Sequence, residues 1–143
     1  MFITRQANPT AIVNQPANIK KIEFRWQHTL ILTKDNETYG FGSGYNGQLT
    51  TEVNENKPFK ILDNITRLST GSDFSVVVKN NGDIYSFGID DKFQLGHDIS
   101  KNFYESTIAG TNFTLVPGYV STLFLDKTTG DVYGNGLNSV KIF

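Results

Sequence analysis

Short apolar runs recur along the chain and predict β-strands. Each run has four residues, is rich in aliphatic or β-branched side chains and is bounded by polar turn residues; the runs are residues 29–32, 75–78 and 122–125. They are too short for helices, and no segment shows the 3.6-residue apolar period of an amphipathic helix. Asn81-Gly82 follows the second run, and this dipeptide favours a β-hairpin because both of its residues accept a positive φ. The pattern therefore predicts an all-β chain of hairpins.

The strand that returns from each hairpin shows that the chain repeats itself. A short motif of aromatic and small residues begins at Tyr39, Tyr85 and Tyr133, which lie 46 and 48 residues apart. The first two copies are followed by Gln-Leu, at residues 48–49 and 94–95. A period of about 20–50 residues is typical of repeat architectures, and about 46 residues accommodate the four short strands of one propeller blade.

We therefore predict one domain, residues 1–143, with about three repeat units. A lead-in of residues 1–18 comes first, and within it residues 9–18 are expected to form a degenerate strand. Each unit is expected to supply one four-stranded antiparallel sheet. The units are residues 19–63, 64–107 and 108–143.

The spaced motifs resemble those of the RCC1 (ATS1-like) repeat. The opening motif of that repeat, Gly-x-x-His-Ser/Thr, is similar to residues 25–29, 71–75 and 118–122. Its closing motif, Gly-Gln-Leu-Gly, is similar to residues 47–50 and 93–96, and the third unit has no closing motif. The resemblance covers residues 19–143 and implies a β-propeller.

The chain departs from this repeat in single residues and in the number of units. Arg25 stands in place of the first glycine, and Phe74 and Ser121 stand in place of histidine. Closed propellers have about four to eight blades, so three cannot close a ring within one chain. Two sheet edges would be exposed, and exposed edges aggregate unless they are covered. We therefore predict a partial RCC1-like β-propeller, open and docked on a partner or completed by other chains; two copies would supply six units.

Composition narrows the possible functions. The formal net charge is −1, so there is no global basic field for a nucleic acid backbone. There is no cysteine, which excludes disulfides, thiolate zinc sites and thiol nucleophiles. No apolar stretch approaches the roughly 18 residues that span a bilayer. We expect an intracellular protein, of the cytoplasm or the nucleus, with an organelle left open.

Three polar features are candidates for chemistry, and each has a plainer structural interpretation. Residues 42–47 match Gly-x-Gly-x-x-Gly, but the segment after them is a poor helix, whereas a dinucleotide site requires one. The resemblance assigns His28 to hydrogen bonding within a blade. Asp90 and Asp91 lie in a predicted loop, where we expect water to screen them. We predict no catalytic residue, no metal site and no cofactor.

Trp26 is the single tryptophan, and Ser72 and Tyr119 are its equivalents in the other units. The resemblance implies that these positions lie near one face of the disc, where partners dock. Tryptophan and tyrosine are enriched at interface centres, although packing between blades is the alternative role for Trp26. The predicted partner-binding residues are Arg25, Trp26, Gln27, Ser72, Asp73, Tyr119 and Val120.

These observations favour a non-enzymatic protein–protein interaction or scaffold module, a subunit of a homo-oligomer or of a larger complex. The partner is expected to be a protein of unknown identity, with self-association as one way to complete the propeller. The alternative function is regulation of a Ran-like small GTPase by nucleotide exchange, which the resemblance implies. None of the residues that perform exchange in that family can be matched to this chain.

Overall fold

The computed structural model describes residues 8–52, 54–95, 103–106, 113–119 and 121–136. Within these ranges the chain is all-β, as predicted, and its strands form three antiparallel sheets. Sheet 1 contains β1 (Ile19–Arg25), β2 (His28–Thr33), β3 (Thr38–Gly42) and β4 (Glu55–Leu62); sheet 2 contains β5 (Ile65–Thr70), β6 (Phe74–Lys79), β7 (Ile84–Gly88) and β8 (Phe103–Ser106); sheet 3 contains β9 (Phe113–Pro117), β10 (Ser121–Asp126) and β11 (Val132–Gly136).

Each sheet is a meander in which consecutive strands pair. Sheets 1 and 2 have the same irregularity in the pairing of their first two strands. The register shifts between Ile19 and Lys21 in sheet 1 and between the equivalent residues Ile65 and Arg67 in sheet 2. The first strands of neighbouring sheets lie against each other, β1 against β5 and β5 against β9. They are the inner strands, and β4 and β8 are outer edges. The described sheets form an unclosed segment of a β-propeller, which confirms the predicted fold class.

The polar segment before the second unit contains the fourth strand of sheet 1. This strand, β4, begins with three polar residues and Pro58, and only its second half, which contains Phe59, Ile61 and Leu62, packs against the core. Proline has no N–H to donate, and it is tolerated on an edge strand where no further strand needs that donor. The pairing of β3 with β4 is irregular between Gly40 and Gly42, which accommodates the proline-containing stretch.

Sheet 2 is buried on both faces, and successive residues of β6 belong to different cores. Val77 packs with Leu68 and Phe87 against sheet 1, whereas Val76 and Val78 pack toward sheet 3. The alternation is the period of two that a strand imposes. The first core also contains Leu30, Leu32, Leu49, Ile65 and Tyr85, and the second contains Phe74, Ile84, Leu95 and Phe124.

A buried glutamine folds the loop that follows the third strand of sheets 1 and 2. The side-chain oxygen of Gln48 accepts the N–H of Asn46 at 2.9 Å, and that of Gln94 accepts the N–H of Lys92 at 2.9 Å. The leucine that follows each glutamine enters the core between sheets. The recurrent Gln-Leu pair therefore closes the loop and anchors it.

The carbonyls of the same two glutamines join neighbouring sheets. The Ser75 hydroxyl, in sheet 2, donates to the Gln48 carbonyl at 2.9 Å. The Thr122 hydroxyl, in sheet 3, donates to the Gln94 carbonyl at 3.2 Å. Both interfaces thus contain an equivalent hydrogen bond, repeated along the chain.

The lead-in does not contain the expected strand. Residues 9–18 form turns and irregular structure, and most of their side chains are exposed. A segment without apolar alternation has no face to bury on a sheet, so pairing would gain little. The boundaries of the three repeat units remain a prediction. In the described part of the chain, no helix is long and apolar enough to cross a membrane.

Candidate protein-docking face

The loops that follow the first and third strands lie at one end of the sheets. In sheet 1 the N–H of Ser43 donates to the Gln27 carbonyl at 2.8 Å, and in sheet 2 the N–H of Ile89 donates to the Asp73 carbonyl at 2.9 Å. Gly42 precedes Ser43 with a φ of 106°, and a side chain there would collide with the Gln27 carbonyl. Only glycine permits this close approach, which ties the two loops of a sheet together.

Four exposed aromatic side chains lie on the loops at this end of the sheets. They belong to two different sets of loops and to all three sheets, and their exposed fractions lie between 57% and 70%. We call this surface the aromatic face and define it by Trp26, Tyr45, Phe93 and Tyr119. The opposite end, which carries the hairpin turns, is called the hairpin end.

The loops between the first and second strands converge at the aromatic face. The rings of Trp26 and Tyr119 meet edge to face, with centroids 6.3 Å apart and an interplanar angle of 85°. Between them in sequence, the Ser72 hydroxyl donates to the Tyr119 carbonyl at 2.8 Å. The structure therefore brings the equivalent positions of all three units together, although they are 46 and 47 residues apart.

The remaining predicted partner-binding residues divide into three groups. Arg25 and Gln27 flank Trp26 and are exposed. Asp73 is half-buried, and its carboxylate accepts a hydrogen bond from the Asn46 side chain at 3.3 Å. Val120 lies outside the described residues.

Two of the exposed aromatic residues have backbone conformations that favour glycine. Trp26 has a φ of 56° and Phe93 a φ of 60°. The equivalent of Phe93 in the first unit is Gly47, with a φ of 78°. A bulky residue in this region costs about 1–3 kcal/mol and is found chiefly at functional sites. Neither burial nor local preference explains these two aromatic residues.

Tyr45 and Phe93 were absent from the predicted partner-binding residues. One signal was available for Phe93, because it replaces the glycine of the closing motif at residues 47–50. Tyr45 has no comparable signal, since exposure of a tyrosine in a loop follows only from the tertiary arrangement.

His28 lies buried beneath this face and belongs to the contact between sheets 1 and 2. Its Nε2 is 3.0 Å from the Ser75 hydroxyl. Because Ser75 uses its one proton on the Gln48 carbonyl, Nε2 must donate and Nδ1 must be unprotonated. Nδ1 is buried without a hydrogen-bond partner. Burial lowers the pKa of His28 from 6.5 to about 4, although Asp73 nearby opposes the shift. A neutral buried histidine fits a structural role.

The carboxylates in the loops differ from one another. The expectation of a solvated Asp90 is wrong, because Asp90 is 8% exposed and accepts the N–H of Leu95 at 2.8 Å, which shapes the loop. Asp91 is exposed, and a hydrogen bond from Lys92 at 2.8 Å lowers the pKa of Asp91 below its usual range. At the hairpin end, hydrogen bonds from Lys60 and Tyr39 likewise lower the pKa of Glu37.

The glycine-rich segment 42–47 leads into turns rather than a helix. It therefore lacks the helix N-terminus that holds a pyrophosphate in a dinucleotide site. Among the described residues, no group of three or more His, Cys, Asp or Glu side chains is arranged to hold a metal ion.

Three blade-like sheets, repeated loop hydrogen bonds and loops gathered at one end define a β-propeller repeat protein. The model of the regulator of chromosome condensation (RCC1) repeat matches residues 19–48. The chain is 38% identical over 77 residues to the protein RCC2 homolog of Xenopus laevis, covering 50% of this chain and 15% of that protein. It is 32% identical over 108 residues to human protein RCC2, covering 71% and 20%.

Solved structures agree on the fold. Prp20p of Saccharomyces cerevisiae superposes with a TM-score of 0.79 at 18% identity, over 92% of this chain and 34% of that one. Human WBSCR16 superposes with a TM-score of 0.71 at 21% identity, over 82% and 33%. The matched repeat model and the RCC2 relatives, together with this fold, support an RCC1-like repeat family. It spans about a fifth of the length of the curated relatives it matches.

Proposed function

We propose that the chain is a non-enzymatic interaction module that docks a protein partner on its aromatic face. The observation that carries this proposal is the edge-to-face pair of Trp26 and Tyr119. The two rings belong to different repeat units and are in contact, and each remains more than half exposed. Aromatic side chains with these properties are typical hot spots, because a partner can bury them at little cost in conformational entropy.

The composition of the face supports a protein partner. Tyr45 and Phe93 add two further exposed rings, while Asp73, Asp91 and Lys92 supply polar groups of both signs. A centre of aromatic residues with a mixed polar surround resembles protein interfaces, whereas a nucleic acid surface would require concentrated positive charge. The similarity to Prp20p, which was described together with its binding to Gsp1p and histones, supports the same class of function.

The test compares binding of proteins from the source cells to tagged wild-type chain and to three variants. We expect Trp26→Ala and Tyr119→Ala to reduce the captured partner about tenfold or more, since hot-spot truncations cost roughly 2 kcal/mol or more. The matched control is Lys34→Ala, an exposed residue in a hairpin turn. A partner retained equally by folded Trp26 and Tyr119 variants would contradict the proposal.

The same purified chain distinguishes simple docking from nucleotide exchange. Docking leaves the rate of nucleotide release from a Ran-like GTPase unchanged in stopped-flow measurements. Acceleration of that release, abolished by Trp26→Ala, would instead establish the exchange alternative.

A second part of the proposal concerns the open face of sheet 1. Ile22 is 56% exposed and Phe24 is 66% exposed, whereas their equivalents in sheet 2, Leu68 and Thr70, are 1% and 3% exposed. On sheet 3, at the other end of the three described sheets, Val132 is 62% exposed. We propose that these two apolar faces meet between copies of the chain, because each repeats one side of an interface already formed between sheets.

A further inference from the structure

At the hairpin end, four cationic side chains from three sheets line a single cavity of about 320 Å³. Lys20 and Lys21 belong to β1, Arg67 belongs to β5, and Lys127 lies in the turn after β10. The other lining residues are Leu32, Thr66, Leu68, Thr114 and Leu115, and no acidic side chain is among the described residues that line it.

Only part of this positive charge is neutralised by neighbouring groups. The ammonium of Lys21 lies 2.7 Å from a Glu23 oxygen and donates to the Leu68 carbonyl at 3.2 Å. Lys20 and Lys127 have no acidic partner within the part of the chain that the structure describes. The charges of Lys20 and Lys127 therefore leave the cavity positive, in a chain whose formal net charge is −1.

The repeat accounts for the way the cations converge. Lys21 and Arg67 occupy equivalent positions, since each follows the same irregularity in the pairing of its strand. The third unit has Thr114 at the equivalent position, and its cation, Lys127, comes instead from the hairpin turn of sheet 3. That turn, residues 126–130, is one residue longer than the turn of sheet 2.

A concave site lined by charges of one sign concentrates ions of the opposite sign, because low-dielectric walls focus the field. Here the walls include three leucine side chains. The volume lies at the lower end of the range of about 300–1,000 Å³ found for small-molecule sites. It is too small to admit a folded domain or a nucleic acid duplex.

We propose that this cavity binds a compact polyanion that carries two or more phosphate groups. Several cations arranged around one space can contact separate phosphates at once, and lysine and arginine both form strong charge-assisted hydrogen bonds to phosphate oxygens. The phosphates belong either to a soluble molecule or to a lipid headgroup, which present the same chemistry.

The test measures binding of inorganic tripolyphosphate and of inositol 1,4,5-trisphosphate by calorimetry. We expect the double variant Lys20→Ala/Lys127→Ala to weaken binding about ten- to a hundredfold, as expected for loss of hydrogen bonds between charged groups. The matched control is Lys34→Ala/Lys57→Ala, which removes the same charge from exposed positions outside the cavity and should leave the affinity within about twofold.

Three outcomes would overturn the proposal. They are absence of binding to every probe, equal weakening by the two double variants, and binding unchanged by loss of Lys20 and Lys127. Vesicles with and without phosphatidylinositol 4,5-bisphosphate identify the source of the phosphates: retention of the chain only on vesicles with this lipid indicates a headgroup, whereas binding of the soluble probes without retention on vesicles indicates a soluble ligand. Trp26→Ala should leave polyanion binding intact, so failure of the aromatic face as a docking site would not affect this result.

Discussion

Sheets 1 and 2 share one repeat pattern, yet equivalent residues have different surroundings. The second strand of each pairs in the same register with the first, so Ile22 lies opposite Ile31 and Leu68 lies opposite Val77. Leu68 is buried by sheet 1, while Ile22 faces no other sheet among the described residues and is more than half exposed. The difference shows that a repeat defines an apolar face but only a neighbour buries it. Sheet 1, at one end of the described sheets, therefore keeps an exposed apolar face.

The largest expected effect is a difference in the free energy of unfolding between equivalent substitutions in sheet 2 and sheet 1. Phe87→Ala removes a ring that is fully buried between sheets 1 and 2 and should lower the free energy of unfolding by about 3–5 kcal/mol. Phe41→Ala, at the equivalent position of half-buried sheet 1, should cost less than half as much. Urea denaturation measures both. Equal losses would contradict the different burial of the two sheets.

The next effect concerns the contact between sheets 1 and 2 and depends on pH. The pKa of His28 is about 4 in the folded chain and 6.5 when unfolded, so the unfolded state binds the proton first as the pH falls. Stability is full above about pH 6.5, declines toward pH 4, and changes no further below that through this group. The loss amounts to roughly 3 kcal/mol.

Chemical denaturation at a series of pH values checks this dependence. The control is His28→Phe, which places at this position the residue found in the second unit, Phe74, and removes the titrating group. The variant should retain only the pH dependence that comes from the carboxylates. If wild type and variant lose stability in parallel between pH 6.5 and 4, His28 is not the cause.

The smallest expected effect is on self-association through the open face of sheet 1. Phe24→Asp should leave the folded chain almost as stable, because Phe24 is 66% exposed, but it should weaken self-association about tenfold or more. Native mass spectrometry and light scattering over a concentration series measure the change. A wild-type chain that remains monomeric at tens of micromolar would contradict association between copies.

Several features were predictable because they depend on residues close together in sequence. The apolar runs that form β2, β6 and β10 are bounded by turn residues. The repeated motif that begins at Tyr39, Tyr85 and Tyr133 marks the strands that pair with them, β3, β7 and β11. A fourth strand in each unit was expected, but β4 was not located in the sequence, because it begins with polar residues and contains Pro58. Asp90 was misjudged because its burial depends on how Gln94 and Leu95 fold the loop onto it.

The candidate site was partly predictable for the same reason. The repeat pointed to Trp26, Ser72 and Tyr119 as equivalent positions, and the structure brings them into one cluster. Whether that cluster binds a partner remains a prediction. Phe93 and the cations that line the cavity were not predicted. Their positions relative to the other residues of each site depend on how the sheets are arranged.

The sequence by itself determined most of the strands, their hairpins and the period of the repeat, because propensity, turn chemistry and alternation are local, and its spaced motifs carried the resemblance to the RCC1 repeat. Only the tertiary structure decided which apolar faces are covered, which aromatic rings meet and which cations share a cavity. Those properties depend on contacts between residues about 46 or more positions apart, such as Lys20, Arg67 and Lys127. The physical reason is that side chains on successive units meet only after each sheet has packed against its neighbour.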